Sequence, residues 1–327
     1  MAVYTQLSSD DLAALIAQYD VGDVVSAKGI AEGVQNSNFL VDTTGKGGAG
    51  SRYILTIYES QTVVKDLPFF LGLLDHLSAS GCPVPQTIHD RSGASFRKFG
   101  NKALALIEFL SGISLDHPTS AQALSVGRAL AQLHLASGQF AATRENDLGP
   151  AGWDRLAAAC ASDFASMDPA LGPLVQAELA SLASAWPQDL PRGAIHADLF
   201  PDNVLMLGDT VTGLIDFYFA CTDMFAYDVA ITHAAWCFSA DGKQFDPAIS
   251  AALLEGYEAL RPLSVAERAA LPVLARGAAL RFTLTRAYDW VNTPADALVT
   301  KKDPMAFARR LQFYSAHPEL FSQSPVA

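Results

Sequence analysis

Ile195-His196-Ala197-Asp198-Leu199-Phe200-Pro201-Asp202-Asn203-Val204, followed by Gly213-Leu214-Ile215-Asp216-Phe217, is where this sequence concentrates its chemistry. Two carboxylates and a carboxamide recur at set intervals: Asp198, then Asn203 five residues on, then Asp216 at the end of an apolar run that reads as a strand. Moving a phosphoryl group needs little covalent help from a protein. It needs a carboxylate to orient the attacking hydroxyl and hard oxygen ligands for the metal that bridges the phosphates. Asp198 suits the first task, and Asn203 and Asp216 suit the second as ligands of Mg²⁺. Singly, each has a plainer reading, with Asp198 and Asp202 as turn or cap residues, Asn203 as an Asx-turn and His196 as a packed loop histidine. The joint spacing, in a loop, strand, loop context, favours the chemistry.

The pattern H-x-D-x-x-x-x-N followed by two apolar residues, Asp and Phe is that of the kinase catalytic and metal-binding loops. ATP is therefore the expected phosphoryl donor. His196 is expected to hold the loop rather than move a proton. Asp202 is one residue out of register and reads as a solvated turn residue.

Upstream, Gly29 to Phe39 enters a strand, and its Gly33, Asn36, Ser37 and Asn38 are expected to fold over phosphates through N–H groups and polar side chains. The alternative is an ordinary Gly-Ser-Asn hairpin. The strand ending Ile107-Glu108-Phe109-Leu110 leads into a hinge where main-chain groups of Glu108 and Leu110 would pair with adenine. His134, on a strongly apolar helix, reads as a satisfied core histidine without a site role. Late in the chain, Arg281, Thr285, Tyr288 and Asp289 fall near one helical face with Arg286 offset from it. Arg281 and Tyr288 are the candidates for substrate binding, since an arginine fork suits a carboxylate; a helix with surface ion pairs is the competing reading.

The fold expected around these motifs is α+β, a protein-kinase-like two-lobed fold. Its N-terminal lobe, residues 1–110, would bind nucleotide with an antiparallel sheet plus helices. Its C-terminal lobe, residues 111–327, would be mainly helical and hold the catalytic and substrate-binding groups. A helix is expected over 8–19, strands over 38–42 and 53–58 around the Gly-rich tip 45–50, a helix over 65–80 and a buried strand over 102–110. Helical patterns follow at 121–136, 153–164, 171–185, 228–238, 247–260 and 265–290, interrupted at 192–217 by two short extended runs.

Composition bounds the function classes. The 327 residues are half hydrophobic and 17% charged, enough for a large core, and the formal charge of −12 disfavours nucleic acid as a partner. An acidic chain that handles phosphate must bring cations to its site as local Lys or Arg or as metal. Four scattered cysteines, Cys82, Cys160, Cys221 and Cys237, read as reduced thiols of a cytoplasmic protein. With no run of 18 apolar residues and no leader-like start, neither membrane insertion nor export is expected. The number of subunits is not legible.

With these residues in view, the chain resembles the aminoglycoside phosphotransferase and choline kinase superfamily, and within it the homoserine kinases of that type. The catalytic loop carries the superfamily likeness. Asn36-Ser37-Asn38-Phe39, Leu67-Pro68-Phe69-Phe70 and Ile215 to Cys221 carry the likeness to homoserine kinases, and further blocks at Val3-Tyr4-Thr5, Tyr19 to Gly22, Tyr53 to Glu59 and Arg281 to Asp289 spread it along the chain. The resemblance implies ATP and Mg²⁺ as cofactors and L-homoserine as substrate, giving O-phospho-L-homoserine on the route to threonine. In one respect the chain departs from the scaffold: Thr56 stands where its third strand usually carries a phosphate-binding lysine. Homoserine kinases of this type resemble one another in that Thr, and the resemblance leaves a second Mg²⁺, Arg52 or Lys65 to supply the charge. Choline, a sugar or an aminoglycoside as acceptor, and a nucleotide-binding pseudokinase, are the alternatives.

Overall fold

The protein is described by a computed structural model over residues 5–30, 36–59, 64–293 and 301–322. The chain divides into two compact units, one of residues 1–112 with 212–218, the other of 113–211 with 219–327. The division expected at 110/111 falls at 112/113, and the short segment that carries Asp216 belongs by its contacts to the first unit.

In the first unit, α1 (Ser9–Ile16) starts at the Ser8 cap, whose side chain accepts from the Asp11 N–H. Strands β1 (Val24–Ile30), β2 (Asn36–Thr43), β3 (Ser51–Tyr58), β4 (Thr87–Ile88), β5 (Arg97–Phe99) and β6 (Lys102–Glu108) form one antiparallel sheet, with α2 (Leu67–Ala79) between β3 and β4 in sequence. The sheet order is β1-β2-β3-β6-β4, with β5 also on β6. Register decides what each face presents. Phe39 pairs with Leu55 and Leu55 with Leu106, and these residues pack with Leu12, Ile16, Tyr19 and Val21 into the core under α1. Because strand side chains alternate, the other face carries Asn36, Asn38, Thr56 and Tyr58. β1 has no counterpart among the strands expected from the sequence: its middle residues are all exposed, so it lacks the apolar alternation by which strands are recognised.

The second unit is mainly helical: α3 (Ser120–Ser137), α4 (Pro150–Cys160), α5 (Phe164–Met167), α6 (Leu171–Ala185), α7 (Phe225–Trp236), α8 (Pro247–Glu258), α9 (Val265–Asn292) and α10 (Met305–Ala316). Helices α3 and α8 meet backbone to backbone. A Cβ on Gly127 would stand 2.1 Å from the Leu253 carbonyl oxygen, and one on Gly256 2.0 Å from that of Leu124. A Ser264–Glu267 capping box opens α9. β7 (Arg192–Ile195) pairs antiparallel with β10 (Cys221–Met224). β8 (Val204–Leu207) leads into β9 (Thr210–Leu214), whose last residues belong to the first unit. α10 has no sequence-based counterpart either, although Phe307, Leu311 and Tyr314 show helical spacing. Among the described residues no helix is long and apolar enough to cross a membrane.

The helical core makes the protein acid-sensitive. His233 on α7 is fully buried between the Tyr314 hydroxyl at 2.6 Å and Ser250 Oγ at 2.7 Å, and burial pushes it from 6.5 down to about 3. The folded value lies below the unfolded one, so the unfolded chain takes up the proton first as pH falls, and stability is lost below 6.5. Between pH 7.5 and 5 this group alone lowers stability by about 2 kcal/mol. Urea unfolding at the two pH values is expected to show at least that loss, reduced in His233→Gln.

Candidate active site

The catalytic segment of the second unit starts where β7 ends. Ile195 lies opposite Cys221, and the chain then turns sharply through Ala197, whose φ of +63° is left-handed although it has a side chain. Such a backbone costs energy and needs external hold. Asp228 supplies it. This carboxylate is fully buried on α7, and its two oxygens accept the N–H groups of His196 and Ala197, both at 2.8 Å. Its third partner is His134 Nε2 at 3.0 Å, whose Nδ1 meets the Tyr257 hydroxyl at 2.7 Å.

Burial alone would raise the Asp228 carboxyl, but the hydrogen bonds from His134 and the loop hold it below the usual carboxylate range. Burial also depresses His134, which is therefore neutral at pH 7. The network assigns its tautomer: Nε2–H donates to Asp228 and Nδ1 accepts from Tyr257. His134 is thus a satisfied core histidine, and it also sits one hydrogen bond behind the catalytic loop.

Three further groups fix the same loop. Arg281, 1% exposed, donates from Nη1 to the Ala197 carbonyl, and Trp236 Nε1 donates to that of Leu199 at 2.8 Å. The Asp198 N–H donates to His196 Nδ1 at 3.2 Å, a loop-structuring role for that histidine. Asp198 itself is partly exposed. Asn203 turns its amide nitrogen toward Asp198, at 2.8 Å from the carbonyl oxygen and 3.2 Å from Oδ2, which leaves Oδ1 as the side chain's remaining ligand atom. Exposed Asp202 pairs with Lys302 Nζ at 3.4 Å, a solvated turn residue as its register implied. Tyr288, two turns along α9 from Arg281, is 40% exposed.

The remaining site residues lie in the first unit. Asp216, at φ +66°, is the other left-handed non-glycine residue of the described chain. Its segment docks through the Leu214 N–H on the Pro83 carbonyl at 2.7 Å, and Tyr218 meets Tyr58 hydroxyl to hydroxyl at 3.1 Å. Burial pushes Tyr218 up to about 12, with the Asp216 charge adding to it. Tyr58 is raised likewise, so both phenols stay protonated beside that carboxylate.

Thr56 donates to Asn38 Oδ1 at 2.8 Å, so the position of the absent lysine holds a neutral hydroxyl. Asn36 shares this face, nearly buried, with an Oδ1 that has no partner among the described residues. Ser37 does not join them, because strand alternation turns it to the opposite face. There it donates to Glu59 at 2.6 Å, beside Thr5 and Lys102. Of the Ser37 groups expected to face phosphate, the side chain thus lies apart from Asn36 and Asn38. Gly33 lies outside the described residues.

At the end of β6, Glu108 uses its N–H on the Gln86 carbonyl at 2.9 Å and its carboxylate on the Gln86 N–H at 3.1 Å. Leu110 is partly exposed beyond the strand end. Of the cations named for the place of the missing lysine, Arg52 is paired with Asp42 at 2.9 Å and Lys65 is exposed.

Asp228 is the residue that the sequence reading missed. Its signal was available, since the lone carboxylate of the fully buried helix Phe225–Trp236 must find partners. Among the described residues no group of three or more His, Cys, Asp or Glu forms a self-contained metal cage. Asn203 Oδ1 and the Asp216 carboxylate are each hard oxygen donors of the kind Mg²⁺ takes, one or two from protein being commonly completed by phosphate and water.

Residues 26–263 match the phosphotransferase enzyme family. Over 316 residues the chain is 51% identical to the homoserine kinase of Xanthobacter autotrophicus, with 97% of each chain covered. Over 318 residues it is 52% identical to that of Gluconacetobacter diazotrophicus, again with 97% of each covered. Among solved structures, an amicoumacin kinase in complex with AMP-PNP and Ca²⁺ matches with a TM-score of 0.69 at 15% identity over 95% of each chain. A spectinomycin phosphotransferase in complex with ADP and spectinomycin matches with a TM-score of 0.66 at 14% identity, covering 97% of this chain and 98% of that one. At such identities the structural likeness is one of fold.

Proposed function

The chain belongs to the phosphotransferase enzyme family, among its homoserine kinases, and from that premise we propose that it phosphorylates L-homoserine on its side-chain hydroxyl, turning ATP into ADP. The observation that carries this reading is agreement with homoserine kinases along nearly the whole chain at half identity, where a shared catalytic loop alone would fix only the donor. The product is O-phospho-L-homoserine, and the threonine pathway uses it.

In this reading Asp198 accepts a hydrogen bond from the acceptor hydroxyl and takes its proton as the γ-phosphoryl group moves. The clasp formed by Asp228, Arg281 and Trp236 keeps that carboxylate in one place, which is the main contribution a protein makes to phosphoryl transfer. Asn203 Oδ1 and the Asp216 carboxylate would hold Mg²⁺, which would neutralise charge on the phosphates. Asn36 and Asn38 face the phosphates, with main-chain N–H groups around Gly33 and Ser37, while the Glu108 carbonyl and Leu110 hold adenine. Thr56 keeps Asn38 oriented. Arg281 acts as a positioning residue through Ala197, and Tyr288, exposed on the same helix, remains available to the acceptor. The expected setting is the cytoplasm.

The reading is tested with purified protein, ATP and Mg²⁺ against L-homoserine, choline, a hexose and an aminoglycoside, following ADP release. Turnover on homoserine above the others is the expected result. Preference for another acceptor would retain the family and discard the substrate.

A further inference from the structure

Two arginines of the second unit sit where its fold gives them no carboxylate. Arg286, on α9, is half-buried; its guanidinium lies 4.5 Å from the Phe307 ring centre, and Nη1 donates to the Asp303 carbonyl at 3.2 Å. Arg310, on α10, lies 4.1 Å from the centre of the same ring and is 3% exposed. Its Nη2 donates to the Ser239 carbonyl at 2.9 Å, while Nε and Nη1 are buried with no hydrogen-bond partner among the described residues. Neither arginine forms an ion pair among the described residues, and the Asp303 carboxylate is turned to Arg309 at 3.5 Å. Burial lowers both guanidiniums to about 10, and the Arg286 charge adds to the depression of Arg310, yet both stay charged at neutral pH. Two neighbouring, partly desolvated cations that feel carboxylate charges only at a distance and pair with none among the described residues are unfavourable, and a directly bound anion relieves that cost.

Their surroundings identify the anion. Phe307 packs against Phe200 at 5.8 Å and Phe282 at 4.9 Å between ring centres, and Phe200 is two residues from Asp198 in the catalytic loop. Lys302 Nζ stands 5.7 Å from the Phe200 ring. The charges of Asp198 and Asp202 reach Arg286 as well. Arg286 is thus the half-open member of a cationic pair anchored on the aromatic block that buttresses the reacting loop.

We propose that Arg286, with Arg310 behind it on the same Phe307 ring, receives the α-carboxylate of the amino-acid acceptor and so separates carboxylate-bearing alcohols from neutral and cationic ones. The assignment rests on the homoserine reading above and moves the carboxylate receptor from Arg281, which is buried on the Ala197 carbonyl, to the arginine five residues further along α9. Arg286 would touch substrate; Arg310, too buried to do so, is a positioning residue that adds field and holds the ring.

The test compares wild type with Arg286→Gln and Arg286→Lys on L-homoserine and on L-homoserine amide, whose carboxylate is capped as a neutral group. In wild type kcat/KM is expected to favour homoserine over its amide. In Arg286→Gln the KM for homoserine is expected to rise about 10- to 100-fold, the worth of a charge-assisted hydrogen bond. The KM for ATP and for the amide should hardly move, and Arg286→Lys should fall between. An unchanged KM for homoserine, or an equal loss on both acceptors, overturns the proposal. Should Arg286→Gln not fold, equal kcat/KM of wild type on the two acceptors overturns it by itself, whereas a wild type inactive on homoserine overturns the substrate reading instead.

Discussion

Asp198→Ala is expected to lower kcat on L-homoserine by about 10²- to 10⁴-fold, the range for a positioned acid-base group, with ADP affinity and melting temperature close to wild type. The loop should survive the change, because the bonds that hold it converge on the main chain of 196, 197 and 199. Asp198 gives the loop its N–H, on His196 Nδ1, and its carbonyl, on the Phe200 N–H and the Asn203 amide, main-chain bonds that alanine keeps while the Asn203 contact with Oδ2 is lost. Steady-state ADP release, with ADP binding by calorimetry, separates loss of chemistry from loss of binding. Turnover that survives the change would remove Asp198 from the mechanism.

Asp228→Ala is expected to have the second-largest effect, and on two quantities together. It leaves two loop N–H groups and the His134 imidazole without their acceptor in the core, so stability should fall by about 3–5 kcal/mol. Released from its clasp, Ala197 should relax out of the left-handed region and displace Asp198, lowering kcat even in molecules that remain folded. Asp228→Asn isolates the second effect: its carboxamide keeps the shape but offers one acceptor oxygen and turns an N–H₂ toward a donor. Folded Asp228→Asn with wild-type kcat would detach the clasp from catalysis. Since the folded carboxyl is depressed, its stabilisation is complete above the ordinary carboxylate value of 3.8 and is lost as pH falls through the lowered one. Its signature in wild type is therefore acid unfolding below pH 4, distinct from the loss between pH 7.5 and 5 assigned to His233.

Much of this was legible before folding. Helices with apolar stripes stood out, as with 171–185, where the expected and observed limits coincide at Leu171–Ala185. The near-continuous apolar run that became β6 stood out too. Exposed β1 did not, because an edge strand with polar and small residues on both faces leaves no period to detect. Asp198, Asn203 and Asp216 stood out as candidates because phosphoryl transfer constrains which residue types stand at which intervals along a single loop, strand, loop segment.

What the sequence determined by itself is that local chemistry: the kind of reaction, its donor, and the residues whose spacing is measured along the chain. Tertiary structure decided the rest, because side chains far apart in sequence meet only through packing. It made Asp228 the holder of the catalytic turn from 32 residues away, turned Ser37 off the face that Asn36 and Asn38 share, tied Arg281 to a backbone carbonyl and left Arg286 near the loop without an ion pair among the described residues. A residue's type says what it can do, and the direction in which the fold points it selects which of those things it does.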